Sequence, residues 1–349
     1  MGSDTLRTRG VPARAYSRAE FSALHAPPEK APSGDKLRRQ LRRRFQLRAQ
    51  RPERSFLLAA GAHDAMTAGI LADLGYEAVY ASGEQLAAAR GPLPDAGLAP
   101  SHQLPELVRE LGRGIEAVRD RRFFESGGEV ADAPPIFADV PGADGPLRAF
   151  ALARELIRAG AAGARVERSP SWLETLVAVK AAAQAEESPL VVIACADRAE
   201  SALEAAALGV DVLCAEFSGT DLEGPRRFAR DVHAAFPEQV LGFDLSASLP
   251  WGETKKRGAL PGAGELGALG FSLQFSAMFA FHAAGMALES WLRGFRGRGL
   301  DALADLQLVE SGSLGDEPRT RRPRRFAGAD RWLALDRKIK AAARRPGPG

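Results

Sequence analysis

Acidic residues accompany the apolar runs of this chain. Asp139, Glu167 and Glu216 each come at the end of a run that reads as a β-strand, and Asp95 lies in a proline-rich loop. Several carboxylates that converge on one place repel one another unless a cation or a basic substrate lies between them. The four acids therefore predict a Mg2+ or Mn2+ site, because such cations prefer oxygen ligands. The alternative for each acid is a helix cap or a solvated loop.

Further polar residues stand at the ends of the second and seventh apolar runs. They are Ser82, Gly83, Glu84, Asp244, Ser246 and Ser248. No pair of histidines accompanies the acids, which argues against zinc. His63 follows the first run directly, but Asp64 beside it is at least as good a candidate for a helix cap.

The elements that must position these residues repeat along the chain. Between about residue 55 and residue 287, short apolar runs alternate with alanine-rich segments of helical period, which is the pattern of repeated β-α units. The predicted strands are 56–60, 78–81, 135–138, 163–166, 190–194, 210–215, 240–243 and 270–275. Eight of them predict an α/β fold of the (β/α)8 barrel type, in which the chemistry lies at the carboxyl ends of the strands.

Basic residues concentrate outside the barrel pattern. Residues 36–54 carry nine basic residues and one acid, and Leu37, Leu41 and Phe45 recur there at a spacing of four. This spacing predicts a helix with one apolar stripe that packs on the main domain, with a polyanion-binding arm as the alternative. We divide the chain into a partly disordered basic segment (1–54), a barrel domain (55–310) and a basic tail, partly helical or disordered (311–349).

The composition excludes several classes of protein. The two cysteines, Cys195 and Cys214, lie inside apolar runs and read as buried free thiols. So few cysteines exclude a disulfide-stapled secreted scaffold and a multi-cysteine zinc module. Neither a signal peptide nor a membrane span is indicated, so we expect a cytoplasmic protein without a membrane partner. Nucleic acid is not an expected partner, because no recognised binding fold accompanies the arginines.

Several longer segments resemble the isocitrate lyase and phosphoenolpyruvate mutase superfamily. They read GILADLGYEAVYASGEQLAAA, PLPDAGLAPSHQLPELVREL and PIFADVPGADGPLRAFALARELIRAGAAGARVE. Two further segments, GVDVLCAEFSGTDLEGPRRFARDVHAAFPEQVLGFDLSASLPW and LGALGFSLQFSAMFAFHA, are similar to the isocitrate lyase branch in particular. The resemblance covers roughly residues 15 to 310.

The resemblance implies a (β/α)8 barrel, homotetramers or homodimers that exchange helices, Mg2+, and cleavage of a 2-hydroxy tricarboxylate into glyoxylate and succinate, as in the glyoxylate cycle. By position, Asp139 matches an aspartate that coordinates the metal, and Asp95 and Glu167 match acids that hold metal-bound waters. Ser82 and Gly83 match the start of the family's SGW substrate motif, in which Glu84 replaces the tryptophan. The resemblance further implies substrate contacts for Asp244, Ser246 and Ser248, and catalytic positions for Glu216 and Glu167.

The chain departs from the family pattern at positions that matter for catalysis. Pro141 replaces the second acid of the D-x-E segment, Cys195 replaces an arginine, and Asp244 replaces an asparagine. The family's K-K-C-G-H loop, which carries the catalytic cysteine, has no counterpart, because RSPSWLETL follows Glu167. A trianion needs several cations, so these losses predict poor binding of isocitrate.

Two functional hypotheses follow from the sequence. The first is a Mg2+-dependent carbon–carbon lyase of the isocitrate lyase family, acting on isocitrate or on a less charged 2-hydroxy or 2-oxo acid. The second is a diverged member that is catalytically impaired and serves as a structural or regulatory partner. The retained acids favour the first, and the absent cysteine loop favours the second.

Overall fold

The computed structural model describes residues 34–91, 100–126, 132–142, 145–196, 198–217, 219–258 and 260–310, together with residues 333, 336, 337 and 340. All the elements named below fall in one unit, Ala31–Gly349. No described helix is long and apolar enough to cross a membrane.

Eight parallel strands pair in sequence order and close into a barrel, which confirms the predicted fold class. The strands are β1 (Leu57–Gly61), β2 (Ala78–Ala81), β3 (Ile136–Val140), β4 (Gly163–Val166), β5 (Val191–Ala196), β6 (Val212–Ala215), β7 (Val240–Asp244) and β8 (Phe271–Ser276). All eight predicted strands are present. Asp139 and Cys195, which we expected just beyond their strands, lie inside β3 and β5.

Helices surround the barrel. The described helices are α1 (Gly34–Leu47), α2 (Ala65–Leu74), α3 (Gly83–Arg90), α4 (Leu104–Ser126), α5 (Pro146–Ala159), α6 (Trp172–Ala185), α7 (Ala199–Ala207), α8 (Glu223–Ala235), α9 (Trp251–Arg257), α10 (Ala263–Ala268), α11 (Phe279–Arg298) and α12 (Leu300–Glu310). Gly160 ends α5 at a φ of 102°, a left-handed conformation that a glycine adopts without steric cost.

Two apolar cores result from the alternation of side chains along each strand. One face of the strands packs against the helices, and the other fills the barrel interior. Leu37, Leu41 and Phe45 of α1 belong to the interior core and are buried. Helix α1 therefore closes the amino-terminal end of the barrel, and its predicted apolar stripe is confirmed. The domain boundaries at residues 54 and 310 stay predictions.

Candidate active site at the carboxyl end of the barrel

A buried arginine, Arg165 of β4, lies at the centre of the acidic residues. Its Nη1 donates to Asp139 Oδ1 at 3.1 Å and to Glu167 Oε1 at 3.4 Å. Its Nη2 donates to Glu216 Oε1 at 3.0 Å and lies 3.8 Å from Asp244 Oδ2. The Arg165 side chain is only 7% exposed. Carboxylates from β3, β7 and the segments after β4 and β6 thus surround one guanidinium, and we call these five residues the acid ring.

The strand geometry explains why Arg165 points into the barrel. Gly163 and Arg165 share one face of β4, because side chains alternate along a strand. The guanidinium lies 5.7 Å from the centre of the Phe275 ring, and Phe275 belongs to the interior core. Arg165 is not among the site residues predicted from the sequence. The alternation within β4 was the signal that could have placed it.

Asp139 is held by three donors. The Tyr80 hydroxyl donates to Oδ1 at 2.5 Å, and the Gly83 backbone N–H donates to Oδ2 at 2.8 Å. Arg165 supplies the third donor, to Oδ1. Gly83 is the first residue of α3, so the carboxylate lies at the positive end of a helix dipole. Burial raises the pKa of Tyr80 well above its ordinary value, which keeps its hydroxyl protonated as a donor.

The acids of the ring differ in their access to solvent. Asp139 is 2% exposed, whereas the side chains of Glu167 and Glu216 are 42% and 53% exposed. Asp244 is mostly buried, and its Oδ1 has no hydrogen-bond partner. Asp139 is thus the inner member of the ring, and Glu167 and Glu216 form its outer edge, where a substrate can reach them.

Asp244 carries the most perturbed carboxyl of the ring. Burial raises its pKa to about 6, opposed by the positive charge of Arg165 and reinforced by the negative charges of Glu216 and Asp139. A carboxyl with such a pKa exchanges a proton near neutral pH, which an ordinary aspartate does not do.

The structure places the predicted substrate contacts at different distances from the ring. Ser82 is buried directly before α3, and the N–H of Gly83 is already bonded to Asp139. Ser246 and Ser248 lie in the loop after β7, where the Ser248 N–H donates to Ser246 Oγ. Glu84 lies in the first turn of α3. The assignment of substrate contacts stays a prediction.

Other expectations concern the loops and the thiols. Asp95, a predicted metal ligand, lies outside the described residues. After β4 the chain enters α6 following the five residues Glu167–Ser171, and this segment contains neither a cysteine nor a lysine of the family's loop. Cys195 and Cys214 are buried neighbours on β5 and β6, and their hydrogen bond together with burial raises the pKa of the Cys195 thiol.

The described residues do not fit the Mg2+ that the resemblance implies. Oxygen donors are the right kind, but Asp139, the expected ligand, already accepts three hydrogen bonds on its about four lone-pair sites. The described part of the chain holds no group of three or more acids, histidines or cysteines arranged to bind a metal. The Mg2+ or Mn2+ prediction is therefore not confirmed.

Sequence comparisons connect the chain to isocitrate lyases. The model of the isocitrate lyase family matches residues 201–341. The isocitrate lyase of Halalkalibacterium halodurans is 26% identical over 299 residues, which are 68% of this chain and 70% of that protein. Isocitrate lyase 1 of Mycobacterium tuberculosis is 25% identical over 294 residues, which are 67% of this chain and 69% of that protein.

Solved structures share the fold. 2,3-Dimethylmalate lyase, a member of the phosphoenolpyruvate mutase and isocitrate lyase superfamily, gives a TM-score of 0.64 at 19% identity, over 88% of this chain and 99% of that one. Oxaloacetate acetylhydrolase with bound oxalate gives 0.64 at 20% identity, over 89% and 100%. A phosphoenolpyruvate phosphomutase of Streptomyces platensis gives 0.60 at 18% identity, over 86% and 98%.

The role of Tyr80 in holding Asp139 can be tested with Tyr80→Phe. Removal of the hydroxyl takes one donor from a buried carboxylate, so we expect the free energy of unfolding to fall by about 1.5–3 kcal/mol. Urea denaturation measures this change. Tyr76→Phe, at a half-buried tyrosine just before β2, is the matched control and should change stability by less than about 0.5 kcal/mol. Equal effects of the two changes would contradict the role of Tyr80.

The raised pKa of Asp244 predicts how stability depends on pH. The folded state holds this proton more tightly than the unfolded chain, so folding loses stability as pH rises from about 4 to 6. The loss amounts to at most about 3 kcal/mol, at 1.36 kcal/mol for each pKa unit. Asp244→Asn should remove this slope and raise Tm above pH 7, as thermal melts across the pH range would show. An unchanged slope would mean that Asp244 titrates normally.

Proposed function

We propose, from the membership of this chain in the isocitrate lyase and phosphoenolpyruvate mutase superfamily, that it catalyses a lyase-type cleavage of a carbon–carbon bond in a small 2-hydroxy or 2-oxo acid. The proposal rests on the acid ring, which lies at the carboxyl end of the barrel where enzymes of this fold carry out their chemistry. Similarity to isocitrate lyases supports this class of reaction. The charge of the acid ring limits the range of substrates.

The charge of the acid ring argues for a substrate with less negative charge than isocitrate. The ring contains one guanidinium and four carboxyl groups, and both terminal nitrogens of Arg165 already face carboxylates. A tricarboxylate would meet like charges with no unengaged guanidinium N–H on Nη1 or Nη2 to bind it. A 2-hydroxy or 2-oxo acid with fewer carboxylates than isocitrate meets less repulsion.

Glu216 is the candidate base of the reaction. Its carboxylate is half exposed and paired with Arg165, so it faces both solvent and the ring. In cleavage of a 2-hydroxy acid, a base removes the hydroxyl proton, the C–C bond breaks, and the oxygen becomes a carbonyl. Glu167, on the other side of Arg165, is the second exposed carboxylate and the alternative for this step.

Asp244 is the candidate acid. The bond electrons remain on a carbon of the leaving fragment, next to the carboxylate or carbonyl group of that fragment, and this carbanion must take up a proton. The family's cysteine loop is absent, whereas Asp244 holds a proton up to about pH 6 and lies in the same ring as Glu216. No step here is assigned to a metal ion, because the described residues do not fit one.

A second candidate function is a subunit that does not cleave substrate. It is favoured by the three donors on Asp139 and by the segment between β4 and α6, which lacks the family's catalytic cysteine. In this case the barrel would act through its partners in an oligomer.

Both candidates share an apolar surface on α11 that favours a homo-oligomer. No residue of α11 is buried, and Leu288, Leu292 and Phe295 are more than half exposed along one side of it. Helices in water rarely expose such a row, which supports a surface for association with another chain. We propose that a second copy of this chain covers it.

The catalytic role of Glu216 can be tested with a panel of isocitrate, 2,3-dimethylmalate, oxaloacetate and smaller 2-hydroxy acids, with carbonyl products trapped by phenylhydrazine and oxalate measured separately. We expect turnover of the less charged acids, and a loss of kcat of about 10²- to 10⁴-fold in Glu216→Gln. Glu223→Gln, at an exposed glutamate in the first turn of α8, is the control. If the wild-type protein consumes no member of the panel, the non-cleaving function is favoured.

The oligomer surface can be tested with the double variant Leu288→Glu and Leu292→Glu. Burial of a leucine contributes about 1.5–3 kcal/mol, so two charges in the interface should convert the oligomer into monomers at micromolar concentration. Light scattering after size-exclusion chromatography measures the mass. Glu289→Gln, a change on the same helix, should leave the mass unchanged. A wild-type protein that is monomeric at all concentrations would refute the surface.

A further inference from the structure

We propose that the guanidinium of Arg165 is the resident cation of the barrel mouth and that the acid ring binds no divalent metal ion while Arg165 is present. The positive charge of Arg165 and the space that it occupies among the four carboxyl groups support this proposal, which is independent of the proposed lyase activity.

The position of Arg165 is the first reason. Each terminal nitrogen faces two carboxyl groups, Nη1 those of Asp139 and Glu167, and Nη2 those of Glu216 and Asp244. This is the place where a metal ion would have to lie to reach the same oxygens. Magnesium requires six oxygen ligands at about 2.0–2.1 Å, and the guanidinium nitrogens stand between the acids.

The confinement of Arg165 is the second reason. A lysine or arginine on a surface could swing away and leave its acids to a metal. The Arg165 side chain extends from the barrel interior, and its guanidinium lies 5.7 Å from the centre of the Phe275 ring. Phe275, Cys195 and Cys214 belong to the same interior core. Its register partner on β3 is Asp139 itself. The backbone therefore holds the positive charge beside the expected ligand.

The hydrogen bonds of Asp139 are the third reason. A metal ion at this carboxylate would displace Arg165, the Tyr80 hydroxyl or the Gly83 N–H. Each is buried or lies at a buried helix start, so each displaced donor would be left without a partner. An unsatisfied buried donor carries a substantial penalty. A second positive charge within a few ångströms of Arg165 adds repulsion.

The chemical consequence is a site with a fixed single positive charge. A guanidinium can pair with an anion and donate hydrogen bonds, but unlike a metal ion it neither coordinates a carbonyl oxygen nor binds water as a ligand. Such a site suits neutral or monoanionic ligands. Its positive charge does not depend on the concentration of a divalent metal ion.

The test is titration of the full-length protein with Mn2+, followed by electron paramagnetic resonance of free Mn2+. The wild-type protein should show no saturable binding up to millimolar Mn2+, and Mg2+ should not raise its Tm. Arg165→Gln should bind Mn2+ at least about tenfold more tightly than wild type, because the competing charge is gone. Arg165→Lys keeps the charge and should bind no better than wild type.

Arg38→Gln is the matched control, because Arg38 is also paired with two aspartates, Asp35 and Asp211. Asp211 directly precedes β6, so this pair lies at the opposite end of the barrel. It should gain no Mn2+ binding. If Arg165→Gln does not fold, as judged by circular dichroism, the charge-balanced double variant Arg165→Gln with Asp244→Asn takes its place. Wild-type Mn2+ binding that is lost in Asp139→Asn would overturn the proposal. So would a folded Arg165→Gln or double variant that binds no better than wild type.

Discussion

The burial of one positive charge is the constraint on which the carboxyl end of this barrel depends. A guanidinium that leaves water must be paired and hydrogen-bonded, or the folded state loses several kcal/mol. The carboxylates of Asp139, Glu167 and Glu216 meet this requirement at the two terminal nitrogens of Arg165, while its buried Nε has no hydrogen-bond partner among the described residues. The acids in turn tolerate one another because Arg165 lies between them. Neither the arginine nor the acids would be stable in this place without the other.

The ion pairs of Arg165 also determine which carboxyl groups of the ring stay available for proton transfer. Three of the about four acceptor sites of the inner carboxylate are occupied, since Asp139 also binds Tyr80 and the start of α3. The ion pairs leave Glu216 and Glu167 at the solvent edge and Asp244 in between, mostly buried and with a raised pKa. A ring that contains an exposed carboxylate and a carboxyl group with a raised pKa has a candidate base and a candidate acid. Lyase-type cleavage is therefore compatible with the ring, and our proposal assigns no step of it to a metal ion.

The departures from the family pattern have a common effect on the charge of the site. Loss of the cysteine loop, of one strand-end arginine and of a second acid after Asp139 removes parts that serve a highly charged substrate and its metal. A cation inside the barrel compensates the acids that remain. In our proposal, association with a second copy uses the exposed apolar side of α11 and none of those parts. Catalysis and assembly can thus diverge separately on one fold.

The sequence by itself determined the barrel, because eight apolar runs separated by amphipathic segments have few other ways to bury their surfaces. Its longer segments carried the resemblance to isocitrate lyases. It also placed acids at strand ends, since that follows from position along the chain. Only the tertiary structure decided that Arg165 points inward and that Tyr80 and Gly83 bind Asp139. These contacts join residues that are 26 to 59 positions apart, so they depend on strand phase and barrel closure, which local patterns do not specify.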